Sequence, residues 1–262
     1  MKFVLKILIL SIVLSGCTDD NNPFNYSSKP KLLLLKKEIS ENENYITTKE
    51  YIYSDNKLIT VNYETSSKSS NSNSYSKTEY EYISENEYFK YEFWDNTLKR
   101  KYRYFKPNSN TIRREKLDPL TDELKSYYLM DIDNSCGGTK MYYYDNNNVL
   151  TYRVEKDFYG SNCSFNELSY DSDGNFKGKY QLVYDNMKDS FSTLYSSNFW
   201  RNNSKLIHNV IEFTSWDENN ILKFSEKSTF EYNKEGYPTF EERIYKGSDG
   251  TTSVNTIYYE YY

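Results

Sequence analysis

Aromatic and polar residues alternate along much of this chain with a period of two. Tyr80-Glu81-Tyr82, Tyr102-Arg103-Tyr104 and the C-terminal Tyr258-Tyr259-Glu260-Tyr261-Tyr262 show the pattern. That period belongs to a strand with one face buried and the other wetted. Between such stretches one motif recurs irregularly: an aromatic residue closes a strand, a short Asp/Asn turn follows, and an apolar residue opens the next strand. Examples are Tyr53 to Leu58, Trp94 to Leu98, Tyr144 to Val149, Tyr170 to Phe176, Trp216 to Ile221 and Tyr232 to Tyr237. Asp and Asn tolerate positive φ and hydrogen-bond to their own backbone, so these segments predict hairpin turns.

Successive hairpins build an antiparallel meander, which makes the expected fold class all-β. With roughly a dozen or more strands, an open sheet must curl, split into layers or close. The expectation is therefore a strongly curved or barrel-like sheet, with a two-layer sandwich as the alternative. Two segments break the strand rhythm and predict one or two short helices. Asp118-Pro119-Leu120-Thr121-Asp122-Glu123-Leu124 offers an Asp cap, an early Pro and early acids. In Asp189 to Trp200, Phe191, Leu194, Tyr195 and Phe199 recur at helical spacing. Residues 65–76, rich in Ser and Asn, predict a long mobile loop.

The N-terminus carries a different signal. Lys2 and Lys6 precede an apolar run from Ile7 to Leu14, and Leu14-Ser15-Gly16-Cys17 closes it. The run is too short for a permanent transmembrane helix and reads as an export signal. Leu14 to Cys17 resembles the lipobox of bacterial lipoproteins. The resemblance implies cleavage before Cys17 and acylation of that residue, and two or more acyl chains anchor stably. The segment that follows, with Asp19, Asp20, Pro23 and Pro30, has the composition of an extended tether. The expected organisation is a signal peptide over 1–16, a lipidated Cys17 with a flexible tether over 17–30, and one β-rich domain over 31–262. Thr18 directly after Cys17 does not match the enterobacterial signal for inner-membrane retention. Acids just after the cysteine resemble the surface-export signal of Bacteroidetes-type lipoproteins. Together these imply the outer membrane, on its periplasmic or extracellular face, with a lean toward the latter.

Composition changes this picture in two ways. Only 37% of the 262 residues are hydrophobic and 27% are charged, which by itself suggests disorder, but aromatics reach 18%, with 30 Tyr. Disordered chains are poor in aromatics, so this chain folds and buries tyrosine. Alanine is absent, which argues against a helical bundle and also fits an AT-rich genome. Removing residues 1–16 leaves 31 basic and 38 acidic residues, a net charge of −7. An acidic surface disfavours a nucleic-acid partner. Lys99-Arg100-Lys101, with Arg103, alternates with Tyr102 and Tyr104 as a solvated strand face would.

Cys136 and Cys163 remain as a pair, and an exported pair predicts a disulfide across the open end of the Met141–Val154 hairpin. A bridge over a loop of this size would stabilise by about 3 kcal/mol. Two free thiols are the alternative.

The lipobox, the tandem Tyr-Asp turns and the C-terminal run from Glu231 to Tyr262 resemble Bacteroidetes-type lipoproteins with YD-repeat-like β-meanders. Tyr184-Asp185-Asn186-Met187-Lys188-Asp189-Ser190-Phe191, followed by Asn202-Asn203, is similar to a segment of those proteins. They usually carry Pro where Ser190 stands. The resemblance spans most of residues 31–262 and implies an envelope lipoprotein, with no catalytic residues to carry over.

Catalytic candidates are few. His208 is the only histidine, which removes multi-His zinc sites and most His-based catalytic arrangements. No Gly-rich phosphate loop or nucleophile elbow is present. Asp171-Ser172-Asp173-Gly174-Asn175 superficially resembles a calcium loop but lacks the distal Glu, so a hairpin turn is the better reading. No metal or cofactor is expected. The chain reads as non-catalytic, with a binding or structural role. Trp94, Trp200 and Trp216 are candidates for an exposed surface that binds glycan or an envelope protein. A carboxylate pair among the acids, serving a hydrolase, is a further alternative.

Overall fold

A computed structural model describes residues 33–70, 72–133, 137–159, 164–187 and 209–262. Cys17, Cys136, Cys163, Trp200 and His208, and the helix expected over Asp189–Trp200, lie outside the described residues. The first eight strands are β1 (Leu35–Glu41), β2 (Tyr45–Ser54), β3 (Lys57–Ser67), β4 (Asn73–Ser84), β5 (Glu87–Trp94), β6 (Thr97–Asn108), β7 (Thr111–Leu117) and β8 (Leu124–Asp133). The second eight are β9 (Gly137–Asp145), β10 (Leu150–Tyr159), β11 (Ser164–Asp171), β12 (Phe176–Tyr184), β13 (Val210–Asp217), β14 (Leu222–Tyr232), β15 (Pro238–Gly247) and β16 (Thr252–Tyr261). Each pairs antiparallel with its sequence neighbours, and β1 pairs with β16 to close a sixteen-stranded barrel. Closure excludes the two-layer sandwich and leaves no unpaired edge, the usual liability of an open sheet.

The turns follow from the Asp/Asn chemistry. Ser54 pairs with Lys57 and Trp94 with Thr97, leaving two-residue loops. Their central residues Asp55, Asn56, Asp95 and Asn96 have φ between 48° and 61°, the type I′ geometry that suits strand twist. A second turn repeats around the barrel. In it, Asp145, Asp171, Asp217 or Asn233 accepts, through Oδ1, backbone N–H bonds from the residues two and four further on. The residue three positions on, Asn148, Gly174, Asn220 or Gly236, takes positive φ. The Asp171 loop is thus a hairpin, its carboxylate occupied by backbone and Asn175 donors.

Two expectations are corrected. Asp118–Leu124 is not a helix. Asp118 does cap, accepting from Leu120 N and Thr121 N, but the Asp118 N to Glu123 O bond and φ of +61° at Asp122 turn the chain straight into β8. With Leu117 already paired to Leu124, six residues have no room to propagate a helix. Residues 65–76 are mostly strand rather than a long loop, because Thr65 pairs with Ser74 and Ser66 with Asn73. Ser and Thr hydroxyls bridge there, as Thr47 and Thr65 do at 3.1 Å, so the polar composition extends the ladder instead of breaking it.

Residues opposite one another on paired strands point to the same face. Followed from strand to strand, the register separates two faces. One carries Leu35, Glu38, Tyr51, Tyr88, Tyr102, Tyr104, Ile112, Glu241 and Tyr259, all buried. The other carries the exposed Ile52, Tyr75, Ile83, Ile244, Val254 and Tyr258. Side chains converge on the concave side of a closed sheet, so the buried face is the lumen. Among the described residues, strands touch extensively only their neighbours. That pattern fits sixteen strands, which close around more space than their own side chains fill.

Ring ladders knit both faces. On the lumen side Tyr88 and Tyr104 stack at 4.7 Å, and Tyr180, Phe213, Phe224 and Tyr245 form a chain from β12 to β15. Outside, Tyr127 and Tyr144 stack at 4.8 Å and Phe240 meets Tyr258 at 5.3 Å. Each such pair contributes about 0.2–1 kcal/mol. Gly178 is required for close approach: a Cβ there would lie 2.8 Å from the Trp216 carbonyl oxygen.

Candidate functional site

The lumen wall is polar and ordered. Beside the closing seam, Glu38 is 3% exposed; it accepts from Lys49 Nζ at 2.6 Å and from the Tyr51 hydroxyl at 3.0 Å. Glu241, 1% exposed, accepts from Ser228 Oγ, Arg243 Nε and the Tyr259 hydroxyl at 2.7–2.8 Å. Burial foremost, then the adjacent carboxylates, holds the Tyr51 and Tyr259 phenols protonated far above the usual tyrosine range. Arg243 also lies 3.3 Å from Glu226, whose carboxyl is raised chiefly by burial, against the pull of Arg243. The two acids that come together here are thus held by one guanidinium.

Near the rim opposite the chain ends, two cavities are lined largely by residues of the lumen face. One, of about 470 Å³, is lined by Ser40, Phe224, Tyr245, Ser253 and Asn255 together with the 42–44 turn. The other, of about 230 Å³, is lined by the lumen-face residues Tyr102, Arg114, Lys116, Ser126, Tyr128 and Tyr143, with Tyr127, Tyr144 and Thr151 at its margin. At the other rim Asp185 clasps the ends of the 185–209 connection. It accepts from Asn209 N at 3.1 Å, from Asn209 Nδ2 and from the Tyr232 hydroxyl. Asp185 is the acid of the Tyr184-Asp185 pair singled out in the sequence.

The outer wall is charged along its length. Arg103 pairs with Glu87 at 2.8 Å, Arg113 with Glu115 at 2.8 Å, Lys77 with Glu79 at 2.7 Å and Arg153 with Glu155 at 3.4 Å. Lys101 and Arg103 stand outside while Tyr102 and Tyr104 point inward, so this basic run is a solvated face; Arg100 instead joins Glu92 on the inner face. Membrane-spanning barrels present an apolar band about 25 Å tall, and an Arg or Lys at its midplane costs about 2–4 kcal/mol. The outer wall carries the ion pairs named above.

The two described tryptophans do not form a common surface. Trp94, 45% exposed, ends β5 with the Arg100 guanidinium 5.1 Å from its ring, and Trp216, the residue before the end of β13, has Lys179 at 5.1 Å. Seven strands lie between β5 and β13 in either direction around the sixteen-stranded barrel, so these residues stand on opposite sides. The lumenal cations Arg114 and Lys116 were not singled out in the sequence. The signal that could have found them is the run Arg113-Arg114-Glu115-Lys116, where strand alternation sends Arg113 and Glu115 outward together and Arg114 and Lys116 inward together.

No protein-family model matches the chain, and no curated protein matches it. Its barrel is similar in fold to a porin-like protein from Bacteroides uniformis, with a TM-score of 0.59 at 9% identity over 87% of this chain and 96% of that one. It is also similar to a porin-like protein from Bacteroides vulgatus, with a TM-score of 0.52 at 10% identity over 88% and 99% of the two chains. At such identities the likeness is one of fold: a closed all-β barrel shared with porin-like proteins.

Proposed function

We propose that this protein is a non-catalytic outer-membrane lipoprotein, held by acyl chains on Cys17, whose hollow barrel stands in water and accommodates a small polar ligand in its lumen. The observation that carries the reading is the contrast between two parts of one chain. Residues 1–17 have the pattern of an export signal ending in a lipid-acceptor cysteine, whereas the barrel wall bears ion pairs on its outer face. A porin-like barrel with that exterior is better suited to attachment at the membrane than to crossing it. The fold of the Bacteroides proteins is consistent with an outer-membrane setting, and the acids after Cys17 favour its extracellular face. The tandem Tyr-Asp turns ally the chain with YD-repeat-like meanders. A hydrolase has less support, because Glu226 and Glu241 both pair with Arg243 and leave no free acid–base couple between them.

The test is fractionation of a Gram-negative host expressing the full chain and its Cys17→Ser variant. Attachment by lipid predicts wild-type protein in the outer-membrane fraction and the variant released, folded and soluble without detergent. Retention of Cys17→Ser in the membrane until detergent is added would overturn it. Surface protease on intact cells distinguishes the two faces.

A further inference from the structure

We infer that the lumenal cavity around Arg114 is a receptor for a carboxylate carried on a small ring. This rests on the lumenal ligand site proposed above, but not on how the barrel is attached.

Arg114 differs from the other arginines. Among the described residues, Arg100, Arg103, Arg113, Arg153 and Arg243 each have a carboxylate within 4.0 Å. Arg114 has none, although acids outnumber bases in the whole chain by 38 to 33. Its guanidinium lies over the Tyr102 ring at 4.1 Å, with the Tyr104 and Tyr128 rings at 5.7 and 5.5 Å. A guanidinium that stacks on a ring by its face keeps its in-plane N–H groups for the fork that matches a carboxylate. The Arg114 Nε is buried with no acceptor among the described residues, as are those of Arg113 and Arg153; what sets Arg114 apart is the missing carboxylate.

The surroundings supply the rest of a binding site. Lys116 lines the same cavity, also has no ion-pair partner among the described residues, and stands opposite both Tyr102 and Ser126. Among the described residues no carboxylate lines the cavity. The neighbouring lumenal acids are engaged elsewhere: Glu92 pairs with Lys90 and Arg100, and Glu167 stands opposite Lys156. Tyr128 and Tyr143, 5.4 Å apart and tilted by 52°, give an aromatic wall with hydroxyls at its edge. A space of about 230 Å³ lies below the range of drug-sized pockets and suits one ring-sized group. Two cations, an aromatic wall and no acid select a single negative charge on a compact ring. An acidic sugar and an aromatic acid share that chemistry.

Calorimetric titration of the folded full-length protein with galacturonate, benzoate and neutral galactose tests the inference. The receptor predicts binding of at least one of the two acids, none of galactose, and weakening with added salt. Preference for galacturonate identifies an acidic sugar, and preference for benzoate an aromatic acid; either upholds the site. Arg114→Gln is expected to weaken binding by about tenfold or more, the weight of a charge-assisted bidentate pair, and Arg114→Lys by less. Lys116→Gln, at a more exposed position, keeps the test open if Arg114→Gln does not fold. The outer-face variant Lys246→Gln should bind as the wild type does. No heat from either acid with wild-type protein, or equal affinity in folded Arg114→Gln, overturns the receptor. Neither result bears on the Cys17 fractionation, so the two readings fail separately.

Discussion

Lys49 Nζ stands 2.6 Å from Glu38 Oε1 across the β1–β2 pair, one strand from the seam that closes the barrel. Glu38 is nearly inaccessible, while the Lys49 side chain is 28% exposed. Removing one partner of a buried ion pair strands the other charge, at about 3–5 kcal/mol when both are buried. Because Lys49 reaches water, Lys49→Met should cost less, about 2–3 kcal/mol, and Tyr51 alone cannot replace the ammonium. Urea unfolding of the pair of proteins measures it. An unchanged midpoint would mean that the seam does not depend on this contact.

Asn220 holds a φ of 61° at the third position after Asp217. Side chains with a Cβ resist that conformation by about 1–2 kcal/mol, Asn less so and Gly hardly at all. Asn220→Ala should therefore lose about 1 kcal/mol and Asn220→Gly close to none. Asn219→Ala, one residue earlier, is the control, since the turn uses only its backbone N–H. Thermal melts of the three variants give the ranking. Equal loss in the two Asn220 variants would show that the turn is not left-handed at this residue.

Buried phenols set the alkaline limit of the fold. Burial pushes Tyr82 and Tyr143 up to about 12, and Tyr104 is raised as well. An unfolded tyrosine ionises near about pH 10. The folded barrel holds protons that the unfolded chain releases, so this contribution is complete below about pH 10 and is lost as pH rises toward 12. Absorbance at the tyrosinate band, followed together with circular dichroism, should show exposed tyrosines titrating first. The remainder should ionise in step with unfolding. Complete titration near pH 10 with the fold intact would contradict the buried lumen.

Strand periodicity and turn chemistry are local, and local signals were enough for the all-β meander, the hairpin positions and the left-handed Asn and Gly turns. The helix expected at Asp118 shows where local reading stops. Its cap chemistry is present, but pairing of β7 with β8 leaves only six residues between them, and the sheet takes precedence. Residues 65–76 show the reverse: a composition typical of loops becomes strand because neighbouring strands supply the partners.

Sequence alone determined that this chain makes successive antiparallel hairpins, since alternation and Asx turns need only near neighbours along the chain. Tertiary structure decided closure, because the pairing of Leu35 with Tyr261 joins residues at opposite ends of the barrel sequence. It also decided which face is the lumen. Alternation separates Arg113 from Arg114 but does not say which of them turns inward. That depends on the direction in which the sheet curves, and the curvature leaves Arg114 inside, with no carboxylate beside it among the described residues, while Arg113 pairs outside with Glu115.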